Sequence, residues 1–172
     1  LAFLFIIIAV PLTIFMGIHL FEDRKYYFIS LLIIFETLVP FFVVFEKRKP
    51  KARELILIST ICAIIVAGRT VFIPFPQFKP VIALVIIMGM CFGGEMGFLV
   101  GTVTGFVSNF FFGQGPWTPW QMFGFGIIGY VSGLLFGLKI IKREKISVCI
   151  LGFLMAFGYG LITNPSTVIQ FQ

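Results

Sequence analysis

Seven apolar runs, broken by short polar punctuation, govern what this chain can fold into. They cover roughly residues 1–21, 26–45, 54–73, 81–92, 96–112, 120–138 and 146–163. In hydrocarbon every backbone N–H and C=O needs an internal partner, which only helices and closed barrels supply. Runs near 20 residues suit helices, which rise about 1.5 Å per residue against roughly 30 Å of hydrocarbon. The spacing predicts an all-α integral membrane protein, a helical bundle with about seven transmembrane spans. Mean hydropathy is +1.10 and charged residues make up 12%, against about 25% in ordinary soluble chains. A soluble domain is excluded. The run at 81–92 is short, since a dozen residues rise only about 18 Å. It must borrow from the Pro-rich segment before it or stop inside the bundle.

Sidedness follows from charge. Lys47, Arg48, Lys49, Lys51 and Arg53 punctuate one loop, and Lys139, Lys142, Arg143 and Lys145 another. Basic loops stay cytoplasmic, and an even number of spans separates these two, so parity agrees. The loop Pro74–Pro80, the segment 113–119 and the residues after Asn164 then face outward. The net charge of +6 is explained by the membrane face and calls for no nucleic acid. No basic region precedes the first run and no small-residue cleavage site follows it, so it reads as a retained helix. The chain opens on Leu1 and stops at Gln172 in a polar stretch, and a start and an end are expected beyond it.

One loop departs from the apolar monotony. Phe110-Phe111-Phe112-Gly113-Gln114-Gly115-Pro116-Trp117-Thr118-Pro119-Trp120-Gln121-Met122 holds both tryptophans of the protein. Gly-Pro and Thr-Pro steps disfavour helix and force a turn. Indole rings favour the membrane–water boundary. The result is an interfacial loop with aromatic walls and amide groups, suited to holding a ligand. The plainer alternative is a re-entrant cap anchored by an aromatic belt.

Small residues recur every fourth position. Gly93, Gly97, Gly101 and Gly105 lead to Asn109; Gln121 leads through Phe125 to Gly129, Gly133 and Gly137; Gly152, Ala156 and Gly160 lead to Asn164. In lipid such faces let backbones approach closely, and dispersion contacts drive the association. Three helices are expected to pack along these stripes. Asn109, Gln121 and Asn164 then converge at the outer end as a polar pocket for an uncharged, hydrogen-bonding ligand; as plain structure, they cap or staple helix ends. A separate stripe, Ser59, Ala63 and Ala67, is a packing face within the chain or a docking surface for another membrane protein.

Single polar residues carry less. Glu36 lies mid-span, where an ionised carboxylate is costly, and Pro40 kinks the helix after it. A protonated Glu36 bonded inside the bundle is the plain reading; proton coupling is the other. Arg69 either snorkels at the outer end of its span or reaches the pocket to meet a phosphate or carboxylate. His19, Cys62, Cys91 and Cys149 show no metal-ligand or disulfide spacing. Glu95 suits the helix N-terminus it opens. No Walker phosphate loop and no nucleophile–base pairing is present, so neither an enzyme nor a resident cofactor is expected.

Pro76-Gln77-Phe78-Lys79-Pro80, the Gly-rich fifth run with the tryptophan loop that follows it, and Asn164-Pro165 together resemble the substrate-binding S component of energy-coupling factor (ECF) vitamin transporters, most nearly the cobalamin-type branch. The resemblance covers roughly 52–172. It implies a six-helix core whose first five helices are runs three to seven, with the sixth beyond Gln172. Residues 1–51 are then two additional helices and a basic loop. It also implies capture of a vitamin, cobalamin first, from outside a bacterial cell membrane. Toppling in the bilayer would release it inward, driven by a transmembrane coupling subunit and two ATPase subunits. Ala63 and Ala67 match the family's face for that coupling subunit. Asn109, Gln114, Trp117, Trp120, Gln121, Asn164 and Arg69 are expected to line the site, with Gln77, Phe78 and Lys79 as its lid. Two readings from other classes stand beside this one: a ligand-free membrane scaffold or regulatory subunit, and a stand-alone proton-coupled carrier using Glu36.

Overall fold

The computed structural model describes residues 8–21, 28, 31–33, 35–36, 52–72, 74–75, 80–115 and 117–170. Helices α1 (Val10–Phe21), α2 (Ala52–Val71), α3 (Val81–Phe92), α4 (Gly94–Phe112), α5 (Thr118–Gly137) and α6 (Lys145–Gln170) follow one another. The described residues among 28–36 are helical too, and no strand occurs among the described residues. Among the described residues three helical segments, Gly94–Phe112, Thr118–Gly137 and Lys145–Asn164, are long and apolar enough to cross a membrane; Ile56–Val71 and Val81–Phe92 are shorter apolar helices. The expected second span, the basic loop 46–51 and the residues Gln77, Phe78 and Lys79 lie wholly or largely outside the described residues.

The stripes of α4 and α5 interlock. A Cβ added to Gly97 would stand 2.5 Å from the carbonyl oxygen of Gly129, and one added to Gly101 would stand 2.3 Å from that of Phe125. Gly133 meets the backbone of Gly94 in the same way, and Gly89 of α3 meets Gly129. Only hydrogen fits at these positions, so backbone packs on backbone, as lipid-embedded helices require. The short helix α3 is wedged against α2, α4, α5 and α6. Its Val85, Ile86 and Met88 are fully buried among Ile65, Met96, Val100 and Ile128, and the Pro-rich residues 76–79 before it lie outside the described residues. Gly93 (φ 96°) makes the turn from α3 to α4, and Gly113 (φ 92°) ends α4; both lie in the left-handed region open to glycine.

The third stripe behaves differently. Cβ atoms added to Gly152 or Gly160 would meet nothing within 4 Å, and Ile150, Phe153, Leu154, Phe157 and Leu161 are exposed. A four-residue period says that a backbone can be approached, not that a partner is there. The expectation that α6 packs along its small residues is therefore corrected: it touches α5 through a large side chain, Tyr159, which covers Gly124. The helix also continues through Pro165 to Gln170 instead of ending at Asn164, with the Leu161 carbonyl left without the N–H that a proline lacks.

Contacts at the helix ends order the two faces of the bundle. Gly68 near the end of α2 lies against Pro80 at the start of α3. At the opposite end, Arg143 donates to the carbonyl of Met90 (3.1 Å). The start of α2 and the basic turn after α5 therefore share one end, as the charge pattern requires. On another face of α4, Val10, Ile14 and Ile33 pack with Phe98, Met122 and Tyr130. Beside them Thr13 donates a hydrogen bond to Glu36, so this mid-run carboxyl has a polar partner within its own helix pair.

Candidate functional site

The end of the bundle opposite the basic turn is organised around a cation. Arg69, in the last turn of α2, is 5% exposed. Its Nη1 donates to Ser108 Oγ and to Asn109 Oδ1 (3.0 Å), and its Nη2 donates to Gln121 Oε1 (3.3 Å). Guanidinium has no acceptor, so the amide oxygens of Asn109 and Gln121 must face it. The Asn109 amide nitrogen is thereby turned to Thr118, donating to its Oγ1 (3.1 Å). Thr118 in turn donates to Gln114 Oε1 (2.9 Å), and Gln114 Nε2 donates to the Phe106 carbonyl (3.0 Å). The bonds run head to tail from the cation back to the backbone of α4, an arrangement in which each member polarises the next.

Aromatic rings enclose the cation. Arg69 Cζ lies 4.4 Å from the Phe112 centroid and 5.7 Å from that of Phe125, within reach of cation–π attraction. Tyr159 of α6 stacks on Phe125 at 4.8 Å with planes 4° apart. Phe112, Arg69, Phe125 and Tyr159 thus bring four planar groups together from four helices.

The expected site residues divide into groups. Asn109, Gln114, Gln121 and Arg69 meet in one network. Arg69 does not snorkel: it is turned inward to three neutral acceptors, on Ser108, Asn109 and Gln121. Trp117 is 42% exposed and lies on the buried Gly115, where an added Cβ would stand 2.4 Å from its ring. Trp120 is half-buried and packs against the cluster that Val10, Ile14 and Ile33 form with Phe98, Met122 and Tyr130. Asn164 is exposed on α6 and takes no part in the network. Ala63 and Ala67 are exposed and line an apolar groove of about 1020 Å³ between α2 and α4.

Sequence reasoning passed over Ser108, Thr118, Phe112 and Tyr159 as members. Thr118 had a signal, a hydroxyl before Pro119 at a helix start, where it closes the loop by accepting from the Gly115 N–H (3.2 Å). Tyr159 had none, since its role depends on how α6 lies against α5. Among the described residues no cluster of His, Cys, Asp or Glu could hold a metal ion.

Comparison with known proteins gives this geometry a context. No solved structure matches the chain significantly. UPF0397 proteins of Aliivibrio fischeri strains MJ11 and ES114 are each 32% identical over 100 residues, covering 53% of this chain and 54% of theirs. One of Vibrio atlanticus is 41% identical over 56 residues, 33% of this chain and 30% of its own. The chain thus spans about half the length, or less, of the curated relatives it matches. A family model described as "ECF-type riboflavin transporter, S component" matches residues 49–170, which include every member of the Arg69 network, and the chain belongs to that family.

Proposed function

We propose that this chain is the membrane-embedded substrate-binding component of an ECF-type uptake system, which captures a vitamin-like heterocycle from outside and passes it inward. The observation that carries the reading is the family match over 49–170. The polar, aromatic cluster at the end away from the basic turn supports it. Arg69, Asn109, Gln114 and Gln121 form the proposed floor of the site. Trp117, Trp120 and Asn164 are its proposed walls, and Gln77, Phe78 and Lys79 its proposed lid. ATP hydrolysis belongs to two partner subunits bound through a transmembrane coupling subunit, for which the groove at Ala63 and Ala67 is the proposed seat.

Riboflavin is the first ligand to test. Cobalamin, which the tryptophan loop suggests, carries an amide-rich rim that has to part a network already closed on itself by direct hydrogen bonds. A flavin is smaller and flat, and aromatic neighbours such as Phe112 and Phe125 suit a flat ring. Titration of the purified chain in lipid nanodiscs, read by quenching of flavin and tryptophan fluorescence, should show saturable binding of riboflavin. Uptake in cells should require the coupling subunit and its ATPases. Absence of binding to riboflavin, cobalamin and other vitamins alike would sink the proposal.

A further inference from the structure

We infer that the Arg69 site selects ligands that are neutral or negatively charged and that offer an oxygen acceptor to the guanidinium, and that it refuses cationic ones. The inference rests on the reading of this chain as a substrate-binding component, and it names the chemical class of the substrate.

Guanidinium has five N–H groups in a fixed fork. Three are engaged by Ser108, Asn109 and Gln121. The Nε–H is buried without a partner, and one Nη2 hydrogen remains. Buried donors are normally satisfied, and a persistent orphan calls for a specific explanation. Nε and Nη2 bound one edge of the guanidinium plane, the kind of edge by which arginine grips carboxylates and paired oxygens.

Among the described residues every hydrogen-bond partner of Arg69 is a neutral hydroxyl or amide oxygen, and no carboxylate pairs with it. A buried charge without a counter-ion is expensive in a low-dielectric interior. A second positive charge brought to the same cluster repels the first with little water to screen it. A ligand oxygen that accepts from Nε has the opposite effect, satisfying the orphan donor and stabilising the cation together. The rings of Phe112 and Phe125 flank the guanidinium, which favours approach along its edge. A flat heterocycle with a carbonyl on its rim meets both demands, and so does a carboxylate-bearing ligand.

The test is a charge series on the full chain in nanodiscs at neutral pH, with riboflavin as the neutral carbonyl-bearing probe, biotin as the carboxylate and thiamine as the cation. Riboflavin or biotin should bind, with thiamine at least a hundredfold weaker. Arg69→Gln should weaken the bound probe at least tenfold, and Arg69→Lys should recover part of the loss; size-exclusion profile and thermal midpoint check the fold of both. Should Arg69→Gln fail to fold, the charge series on the unaltered chain still decides. Thiamine binding as tightly as the others, or a bound probe indifferent to Arg69→Gln, overturns the inference and leaves the transport reading intact. No binding by any probe counts against the transport reading and the inference together.

Discussion

Gly97 of α4 and Gly129 of α5 meet so closely that a Cβ on either would stand 2.2 to 2.5 Å from the other's carbonyl oxygen. The contact is backbone on backbone, and no side-chain rotation relieves an added methyl. Gly129→Ala should therefore lower the thermal midpoint in detergent by an amount corresponding to about 1–3 kcal/mol, the range of overpacked cores. Gly152→Ala on the open face of α6 should be neutral or slightly stabilising, since alanine is the better helix former by up to about 1 kcal/mol. Equal effects of the two would mean that the stripe spacing, not the interlock, matters.

Thr118 ties the loop to the network through three bonds: it accepts from Asn109 Nδ2 and the Gly115 N–H and donates to Gln114. Thr118→Val keeps the shape and removes all three. Leaving buried donors unmet costs about 1–3 kcal/mol, so the variant should melt earlier and show altered tryptophan emission from the freed loop. Thr118→Ser, which keeps the hydroxyl, should restore most of both. If Val and Ser behave alike, the hydroxyl is incidental.

The two tryptophans should separate. Trp117 is 42% exposed on the loop and is free to present a flat surface to a ligand. Trp117→Ala is expected to weaken riboflavin binding tenfold or more, about 1.4 kcal/mol, with little change in stability. Trp120 is half-buried beside Met122 and the α1 side chains, so Trp120→Ala should mainly destabilise the fold. If affinity survives both substitutions together, the loop is an anchor and the ligand sits elsewhere.

These contrasts mark what the chain discloses in one dimension. The short helix Val81–Phe92 was readable because its length cannot span hydrocarbon. The α4–α5 interlock was readable because glycines spaced by four have few uses in lipid other than close approach. The convergence of Asn109 and Gln121 followed from the ends of those same two stripes. Asn164 ends a stripe of equal regularity and yet stands exposed, since α6 meets its neighbour through Tyr159 instead. Arg69 shows the other limit: near a helix end it reads equally as a snorkelling residue or as one that reaches the pocket, and only acceptors some 40 and 52 positions away decide between the two.

Ala63 and Ala67 pose a question of access. Both are exposed in a groove lined mostly by apolar side chains, among them Val66, Val103, Val107 and Phe111, with the hydroxyls of Ser59 and Thr70 bonded back to their own helix. Arg69 is close in sequence but is turned inward to the network, so this face and the ligand end are chemically separate surfaces of α2. Leucine in place of either alanine puts a branched side chain where a partner backbone would need to approach. Ala63→Leu and Ala67→Leu should then reduce co-purification with the coupling subunit and abolish uptake, while riboflavin affinity of the isolated chain stays within about twofold, roughly 0.4 kcal/mol. Normal co-purification of both variants would place the coupling subunit on a different face. Loss of ligand affinity alongside loss of association would show that the two surfaces are not independent after all.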